Sequence, residues 1–225
     1  TSGTTGANPK GVVLLQRSIV SAILTYVTLL PHHKSITEFE FLPLAHIFER
    51  HMCCGVLTAG GTVGFPRLGG TPQTLFEDLK LFKPSFLGLV PRILTKIEAA
   101  IKAATVDSSS RVSRTLYSLA IEAKQLKQEK NGDRGDHFLF DKTLIKILRS
   151  KFGFDNMESC ITGSAPIAPD TIKFLKASLG IGITQGYGLS ESFSGVFLAL
   201  PFHSPSVGTC GAISPVSYTH LRAHE

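Results

Sequence analysis

Short runs typical of β-strands alternate with longer helical patterns along this chain of 225 residues, and the alternation restricts the fold more than any other feature. The predicted strands are Phe39–Leu42, Thr62–Phe65, Ser85–Val90, Met157–Thr162 and Gly182–Gln185. The predicted helices lie near Ser18–Leu30, Ala45–Thr58 and Thr71–Phe82, between Pro91 and Gln128, near Phe140–Phe152 and over Asp170–Leu179. Such alternation is typical of a sheet covered by helices. We therefore expect an α/β fold with layered parallel or mixed sheets and flanking helices.

The composition is that of a globular protein with a basic balance. Apolar residues make up 43% and charged residues 18%, which excludes a disordered acidic tail, a collagen and a coiled coil. The net charge is +6, and the stretch from Arg111 to Lys151 holds ten basic and five acidic residues. Mixed charge indicates a solvated helical face, with a membrane-facing patch as the alternative. Its aromatic residues, Tyr117, Phe138 and Phe140, are too few for a base-stacking platform, so we expect no nucleic-acid partner.

The cysteines and apolar runs favour an intracellular chain without a membrane anchor of its own. Cys53, Cys54, Cys160 and Cys210 form no Cys-x-x-Cys pair, and no Asn-x-Ser/Thr glycosylation site occurs. The most apolar run, Ile19–Leu30, is shorter than the ~20 residues that a membrane-spanning helix needs.

The first eleven residues, Thr1–Gly11, have the composition of a phosphate-binding loop. Their glycines let backbone amides turn towards an anion, their hydroxyls add donors, and Lys10 supplies charge. The segment is not a Walker A loop, because the residue five positions after Gly3 is Asn8 and Gly11 is followed by Val12. A flexible Gly/Thr linker is the alternative, although linkers rarely end on Pro-Lys-Gly.

Three segments, in this order, resemble signature motifs of the acyl-adenylate-forming superfamily, which holds acyl-CoA synthetases, peptide-synthetase adenylation domains and beetle luciferases. Thr1–Gly11 resembles its phosphate-binding signature. Leu42–His46 (Leu-Pro-Leu-Ala-His) resembles its proline-leucine-histidine motif. Gln185–Glu191 (Gln-Gly-Tyr-Gly-Leu-Ser-Glu) resembles its tyrosine-glycine-x-threonine-glutamate motif, with Ser190 in place of the usual threonine.

Within the superfamily, Leu42–Arg50 and Ile161–Ile167 are most similar to eukaryotic long-chain fatty acyl-CoA synthetases. The resemblance covers residues 1–215 and implies a partial AMP-binding domain, part of the large N-terminal domain of an adenylate-forming enzyme. Residues 216–225 do not continue the family pattern, and we expect them to be unrelated sequence from a truncated or misassembled reading frame. The family's lysine-bearing C-terminal domain cannot be placed, so we expect an internal fragment that is inactive alone.

The resemblance implies a ligase that activates a long-chain fatty acid with ATP to an acyl adenylate and then transfers the acyl group to coenzyme A. Glu191 would hold Mg²⁺, a hard cation that shares phosphate oxygens. Ser190 would donate to the α-phosphate or acyl oxygen, and His46 would face the carboxylate or adenylate. These three, His46, Ser190 and Glu191, are the candidate catalytic residues. The candidate nucleotide-binding residues are Thr1, Ser2, Gly3, Thr4, Thr5, Gly6, Lys10, Gly163, Ser164, Ala165, Gly186, Tyr187 and Gly188.

Several alternatives stay open at this point. His46 could be a buried structural histidine, and the substrate could be an aryl or medium-chain acid. A non-catalytic nucleotide-binding module is the alternative of another class. A serine hydrolase has no support, because Ser164 and Ser192 lack the Gly-x-Ser-x-Gly elbow. The resemblance further implies peripheral contact with the endoplasmic reticulum or another organelle membrane, at its cytosolic face.

Overall fold

The central element is a five-stranded parallel sheet. The computed structural model describes residues 11–30, 35–70, 74–131, 135–199 and 208–213. The strands are β1 (Thr37–Phe39), β2 (Thr62–Gly64), β3 (Phe86–Leu89), β4 (Ser159–Thr162) and β5 (Gly182–Gln185). They lie side by side in the order β2-β1-β3-β4-β5, and every neighbouring pair is parallel. The predicted α/β fold is confirmed.

Helices cover both faces of this sheet. They are α1 (Gln16–Leu29), α2 (Ile47–Thr58), α3 (Leu75–Phe82), α4 (Pro91–Ala104), α5 (Arg111–Asn131), α6 (Phe138–Phe140), α7 (Lys146–Phe152) and α8 (Pro169–Leu179), with a π-helical segment Asp141–Ile145 between α6 and α7. Successive side chains of a strand point to opposite faces. Phe86 of β3 accordingly packs with Tyr26 and Met52 of α1 and α2. Leu87 joins the opposite core, which Leu94 and Leu175 of α4 and α8 also enter.

Strand β1 ends earlier than the sequence predicts. The expected strand was Phe39–Leu42, whereas β1 covers Thr37–Phe39. The Glu40 amide still donates to the Gly64 carbonyl of β2 at 2.8 Å. The Leu42 amide donates instead to a side-chain oxygen of Glu49 in α2, so the chain has already left the sheet there.

The helical region predicted between Pro91 and Gln128 is two helices, α4 and α5, separated by residues 105–110. Thr105 at the end of α4 donates its hydroxyl to the Ile101 carbonyl at 2.6 Å. The Ser110 hydroxyl accepts the Ser113 amide at 3.4 Å, which is the position of a helix N-cap. Serine and aspartate side chains compete with helical hydrogen bonds, and this explains the break.

A second, antiparallel sheet follows β5 and was not predicted. It contains β6 (Tyr187–Leu189), β7 (Ser194–Leu198) and β8 (Ala212–Ile213), in the order β6-β7-β8. A 3₁₀ turn, Ser190–Ser192, joins β6 to β7. A Cβ on Gly188 would lie 1.8 Å from the Ser194 carbonyl oxygen, so the two strands can approach only because this residue is glycine.

Two of the sequence predictions, the phosphate loop and the unrelated tail, concern residues that the structure does not describe. Residues 1–10, which hold most of the predicted phosphate loop, lie outside the described residues, as do residues 216–225. Among the helices that are described, none is long and apolar enough to cross a membrane.

Candidate functional site

Two small-residue loops meet at the carboxyl edge of the parallel sheet. One follows β4 and begins at Gly163; the other follows β5 and begins at Gly186. The Gly186 amide donates to the Thr162 carbonyl at 2.7 Å, and a Cβ on Gly163 would lie 3.3 Å from the Gly186 carbonyl oxygen. The carboxyl edge is where open α/β sheets bind their ligands. The structure therefore brings two of the predicted nucleotide-binding segments together at such an edge.

The loop after β4 is exposed to solvent beyond its first residue. Gly163 is buried, whereas Ser164 and Ala165 are exposed. Ser164 has a φ of +72°, in the left-handed region that side chains other than glycine seldom adopt. Strain of this kind persists where the surrounding structure imposes it, and it concentrates at ligand sites.

The loop after β5 leads into the second sheet and carries the predicted phosphate and metal contacts. Tyr187 is half-exposed and its ring lies 6.1 Å from the Phe197 ring, centroid to centroid. Ser190 and Glu191 lie on the 3₁₀ turn, where the Glu191 side chain is exposed. The Ser192 hydroxyl fixes the turn because it accepts the Leu189 amide at 3.1 Å and donates its single proton to the Ser194 carbonyl at 2.7 Å.

The chemistry of Glu191 suits a magnesium ion that is also bound by a nucleotide. Among the described residues no three His, Cys, Asp or Glu side chains converge to form an all-protein metal site. Magnesium usually keeps several waters and takes one or two carboxylates plus phosphate oxygens. A single exposed carboxylate beside the predicted nucleotide-binding loops is compatible with that coordination.

His46 lies on the third loop of the same edge, between β1 and α2. Its side chain is exposed, so the structure does not support the alternative of a buried structural histidine. His46 occupies the N-cap position of α2, and its side chain makes no capping hydrogen bond. Its backbone amide donates to the Pro43 carbonyl at 2.9 Å, so the backbone turn is fixed while the ring stays available.

Three buried glutamates beneath this loop were missed by the sequence analysis. Glu38 of β1, Glu40 after β1 and Glu49 of α2 are each less than 4% exposed. Burial first, and the charges of Glu40 and Glu49 next, raise the pKa of Glu38 well above its usual range. Burial, followed by the charge of Glu40, raises the pKa of Glu49 to about 9. Glu49 is therefore protonated at neutral pH.

His51 is the buried histidine of α2. Its ring packs between Tyr26 and Phe193, with centroids 5.1 and 5.6 Å away. Burial lowers the pKa of His51 to about 4, so the ring is neutral at neutral pH. Nε2 lies 3.2 Å from the Ala22 carbonyl of α1, and because a carbonyl only accepts, Nε2 carries the proton. His51 thus connects α1, α2 and the second sheet.

Comparisons with known proteins agree on one family. A family model described as AMP-binding enzyme matches residues 1–224. The chain is 34% identical to acyl-CoA ligase 891, peroxisomal, of Penicillium brevicompactum over 219 residues, which are 96% of this chain and 30% of that protein. It is 33% identical to long-chain-fatty-acid–CoA ligase 1 of Homo sapiens over 226 residues, 98% of this chain and 31% of that protein. The chain thus spans about a third of the length of these relatives.

Solved structures show the same fold at lower identity. The inhibitor-bound N-terminal domain of FACL13 from Mycobacterium tuberculosis aligns with a TM-score of 0.62 at 21% identity, over 96% of this chain and 42% of that one. A long-chain-fatty-acid-CoA ligase, FadD1, from Archaeoglobus fulgidus aligns with a TM-score of 0.59 at 18% identity, over 95% of this chain and 35% of that one.

Proposed function

The chain belongs to the AMP-binding enzyme family, and from that premise we propose that it supplies part of the nucleotide site of a long-chain fatty acid–CoA ligase. Its relatives at 30–34% identity over nearly the whole chain are acyl-CoA ligases. The observation that carries the proposal is the contact between the Gly163 and Gly186 loops at the carboxyl edge of the sheet. Residues 1–215 would form part of the AMP-binding domain of a longer protein.

In the proposed reaction, a fatty-acid carboxylate oxygen attacks the α-phosphorus of ATP and pyrophosphate leaves. The thiol of coenzyme A then attacks the acyl carbon, and AMP leaves with the electron pair of the broken C–O bond. The small residues Gly163 and Ala165 let the adenine approach the backbone, and Tyr187 offers a half-exposed ring for it to lie against. The residues of this chain mainly bind and orient the reactants.

The residues of the turn that follows β6 would contact the negatively charged phosphates and their metal ion. The Ser190 hydroxyl would donate to the α-phosphate or the acyl oxygen, and Glu191 would hold Mg²⁺. A bound magnesium ion would neutralise the phosphate oxygens and so ease departure of pyrophosphate. His46, exposed on the neighbouring loop, would face the carboxylate or the adenylate. Thr1–Gly6 and Lys10 would hold the β- and γ-phosphates.

Pyrophosphate release tests this function. We expect the longer protein that carries this chain to release pyrophosphate when given palmitate, ATP and Mg²⁺, and to form palmitoyl-CoA when coenzyme A is added. The 225-residue chain alone should bind ATP and release none. Release with an aryl or medium-chain acid in place of palmitate would overturn the long-chain assignment. ATP binding without release by the longer protein, whatever the acid, would instead identify a non-catalytic nucleotide-binding module.

We propose further that the protein contacts the cytosolic face of an organelle membrane through residues 111–151. Ten basic against five acidic residues support this, as do the exposed side chains of Val112, Leu116 and Leu126 on α5. Sedimentation with vesicles that contain phosphatidylserine should exceed sedimentation with pure phosphatidylcholine vesicles, and high salt should abolish the difference. Equal binding to both vesicles would contradict the proposal.

A further inference from the structure

The loop 42–46, which connects β1 to α2 and ends at His46, is held by two consecutive side chains of α2. Oε1 of Glu49 accepts the Leu42 amide at 2.9 Å. Nε and Nη2 of Arg50 both donate to the Leu44 carbonyl, at 3.1 and 3.0 Å. Glu49 thus binds an amide at the start of the loop, and Arg50 binds a carbonyl in its middle.

The two contacts differ in strength because they differ in burial. Glu49 is 2% exposed, whereas Arg50 lies at the surface. The Leu42 amide is partly buried and its acceptor is a buried carboxyl group, so water replaces this bond poorly, whereas a surface guanidinium can exchange its partner for water. The Glu49 contact therefore contributes more to the geometry of the loop than the Arg50 contact.

The start of α2 is itself fixed against the carboxyl edge of the sheet. A Cβ on Gly88 of β3 would lie 3.3 Å from a ring carbon of Phe48 and 3.5 Å from Oε2 of Glu49. A Cβ on Gly163 would lie 3.6 Å from the Phe48 ring. The helix that holds the loop 42–46 is thus seated directly beside the predicted adenine-binding loop.

We propose that Glu49 and Arg50 are positioning residues: they hold the loop 42–46 so that His46 is presented to the adenylate-forming centre, a role that rests on the proposed function. Neither residue touches a reactant in this proposal. A displacement of about 1 Å at a reacting group can cost about a hundredfold in rate. Loss of the contact between Glu49 and the Leu42 amide should therefore appear in the rate of adenylate formation.

The test uses Glu49→Leu, which removes the acceptor, and Glu49→Gln, which keeps a neutral acceptor of the same size. In the longer protein, Glu49→Leu should lower kcat for pyrophosphate release by about 10- to 100-fold, with KM for ATP within about twofold of wild type. Glu49→Gln should restore kcat. Hydrogen exchange at the Leu42 amide should be faster in Glu49→Leu than in wild type and should return to the wild-type rate in Glu49→Gln.

Glu38→Leu is the matched control, since it removes a carboxyl group from the same buried cluster, and that group interacts with Glu40 and the Gly88 backbone instead of with residues 42–46. It should leave the Leu42 exchange rate and kcat unchanged. Should Glu49→Leu fail to fold, Arg50→Ala at the surface replaces it, with a smaller fall in kcat and faster exchange in residues 42–46.

The proposal is overturned if Glu49→Leu keeps wild-type kcat, if Glu49→Gln is as impaired as Glu49→Leu, or if Glu38→Leu has the same effect. Failure of the proposed function looks different, because the wild-type protein would then release no pyrophosphate. The exchange measurement needs no activity, so it would still confirm or reject the contact between Glu49 and the loop.

Discussion

At the carboxyl edge of the sheet, some residues matter because they lack a side chain, which lets two loops touch. Others matter because they carry a charged group. Gly163 and Gly186 allow two loops to touch, and any side chain at Gly163 would press on the Gly186 carbonyl. Glu191 is different, because its exposed carboxylate lies on a turn fixed by the Ser192 hydroxyl. The backbone that carries this carboxylate is therefore held in place, while the side chain itself faces solvent.

We predict that Glu191→Ala in the longer protein lowers the rate of adenylate formation by about 10-fold or more, because one oxygen ligand of Mg²⁺·ATP is lost. The loss should be larger at limiting than at saturating Mg²⁺, as measured by pyrophosphate release. Glu129→Ala is the control, since it removes an exposed carboxylate of α5 far along the chain. Wild-type turnover of Glu191→Ala at both Mg²⁺ concentrations would contradict the metal role.

The order of the elements was predictable from the sequence, whereas their ends and their second sheet were not. Each of the five parallel strands lies in a short run of β-forming residues between two helical patterns, so the signal for it is local. Strand β1 stops early because Leu42 bonds to Glu49, seven residues away and in another element. The sheet β6-β7-β8 depends on Gly188 meeting Ser194, which no local pattern indicates.

The buried glutamates show why the candidate site was only partly predictable. Glu38 and Glu40 alternate with Phe39 and Phe41, and this pattern normally indicates one solvated face of a strand. That face is instead covered by α1 and α2. The motifs single out His46 and Glu191 as candidates by resemblance, but only the folded structure shows which side chains hold their loops.

Strand β6 offers a direct test of the missed sheet. Gly188→Ala should destabilise the protein by about 1–3 kcal/mol, because the added Cβ would meet the Ser194 carbonyl oxygen at 1.8 Å and β7 would have to move. Urea unfolding measures the loss. Gly11→Ala is the control, since a Cβ there has no neighbour within 4 Å among the described residues. Equal stability of the two variants would show that β6 and β7 do not pack as described.

Helix α5 is joined to the segment before α7 by an ion pair between a buried lysine and a partly exposed aspartate. Lys124 is fully buried, and its Nζ lies 2.6 Å from Oδ1 of Asp141 and 3.1 Å from the Gly135 carbonyl. Lys124→Met removes the cation that faces Asp141, and we expect it to cost about 3 kcal/mol in the free energy of unfolding. The surface lysine Lys173, 3.5 Å from Glu129, provides the control, and Lys173→Met should cost under about 1 kcal/mol. A similar cost for both variants would contradict the account.

For the molecule as a whole, two buried groups on the α1–α2 face limit the pH range in which the protein is stable. His51 acts at the acid limit and Glu49 at the alkaline limit. The pKa of His51 falls from 6.5 to about 4 on folding, so the unfolded chain binds the proton first as the pH drops. The contribution of the neutral His51 ring to the free energy of unfolding is therefore present above pH 6.5 and is lost as the pH falls towards 4. The pKa of Glu49 rises from 4.5 to about 9, so its contribution is full below pH 4.5 and is lost as the pH rises towards 9.

Urea unfolding between about pH 4 and pH 9 should therefore separate the two groups by mutation. His51→Gln, whose amide can still donate to the Ala22 carbonyl, should lose less stability than wild type on the acid side, by up to about 3 kcal/mol. Glu49→Gln should lose less stability than wild type on the alkaline side. Burial also raises the pKa values of Glu38 and Glu40, so the free energy of unfolding of this variant should still fall to some extent as the pH rises. If both variants followed the wild-type curve across the whole range, neither group would titrate in the folded protein as its burial requires.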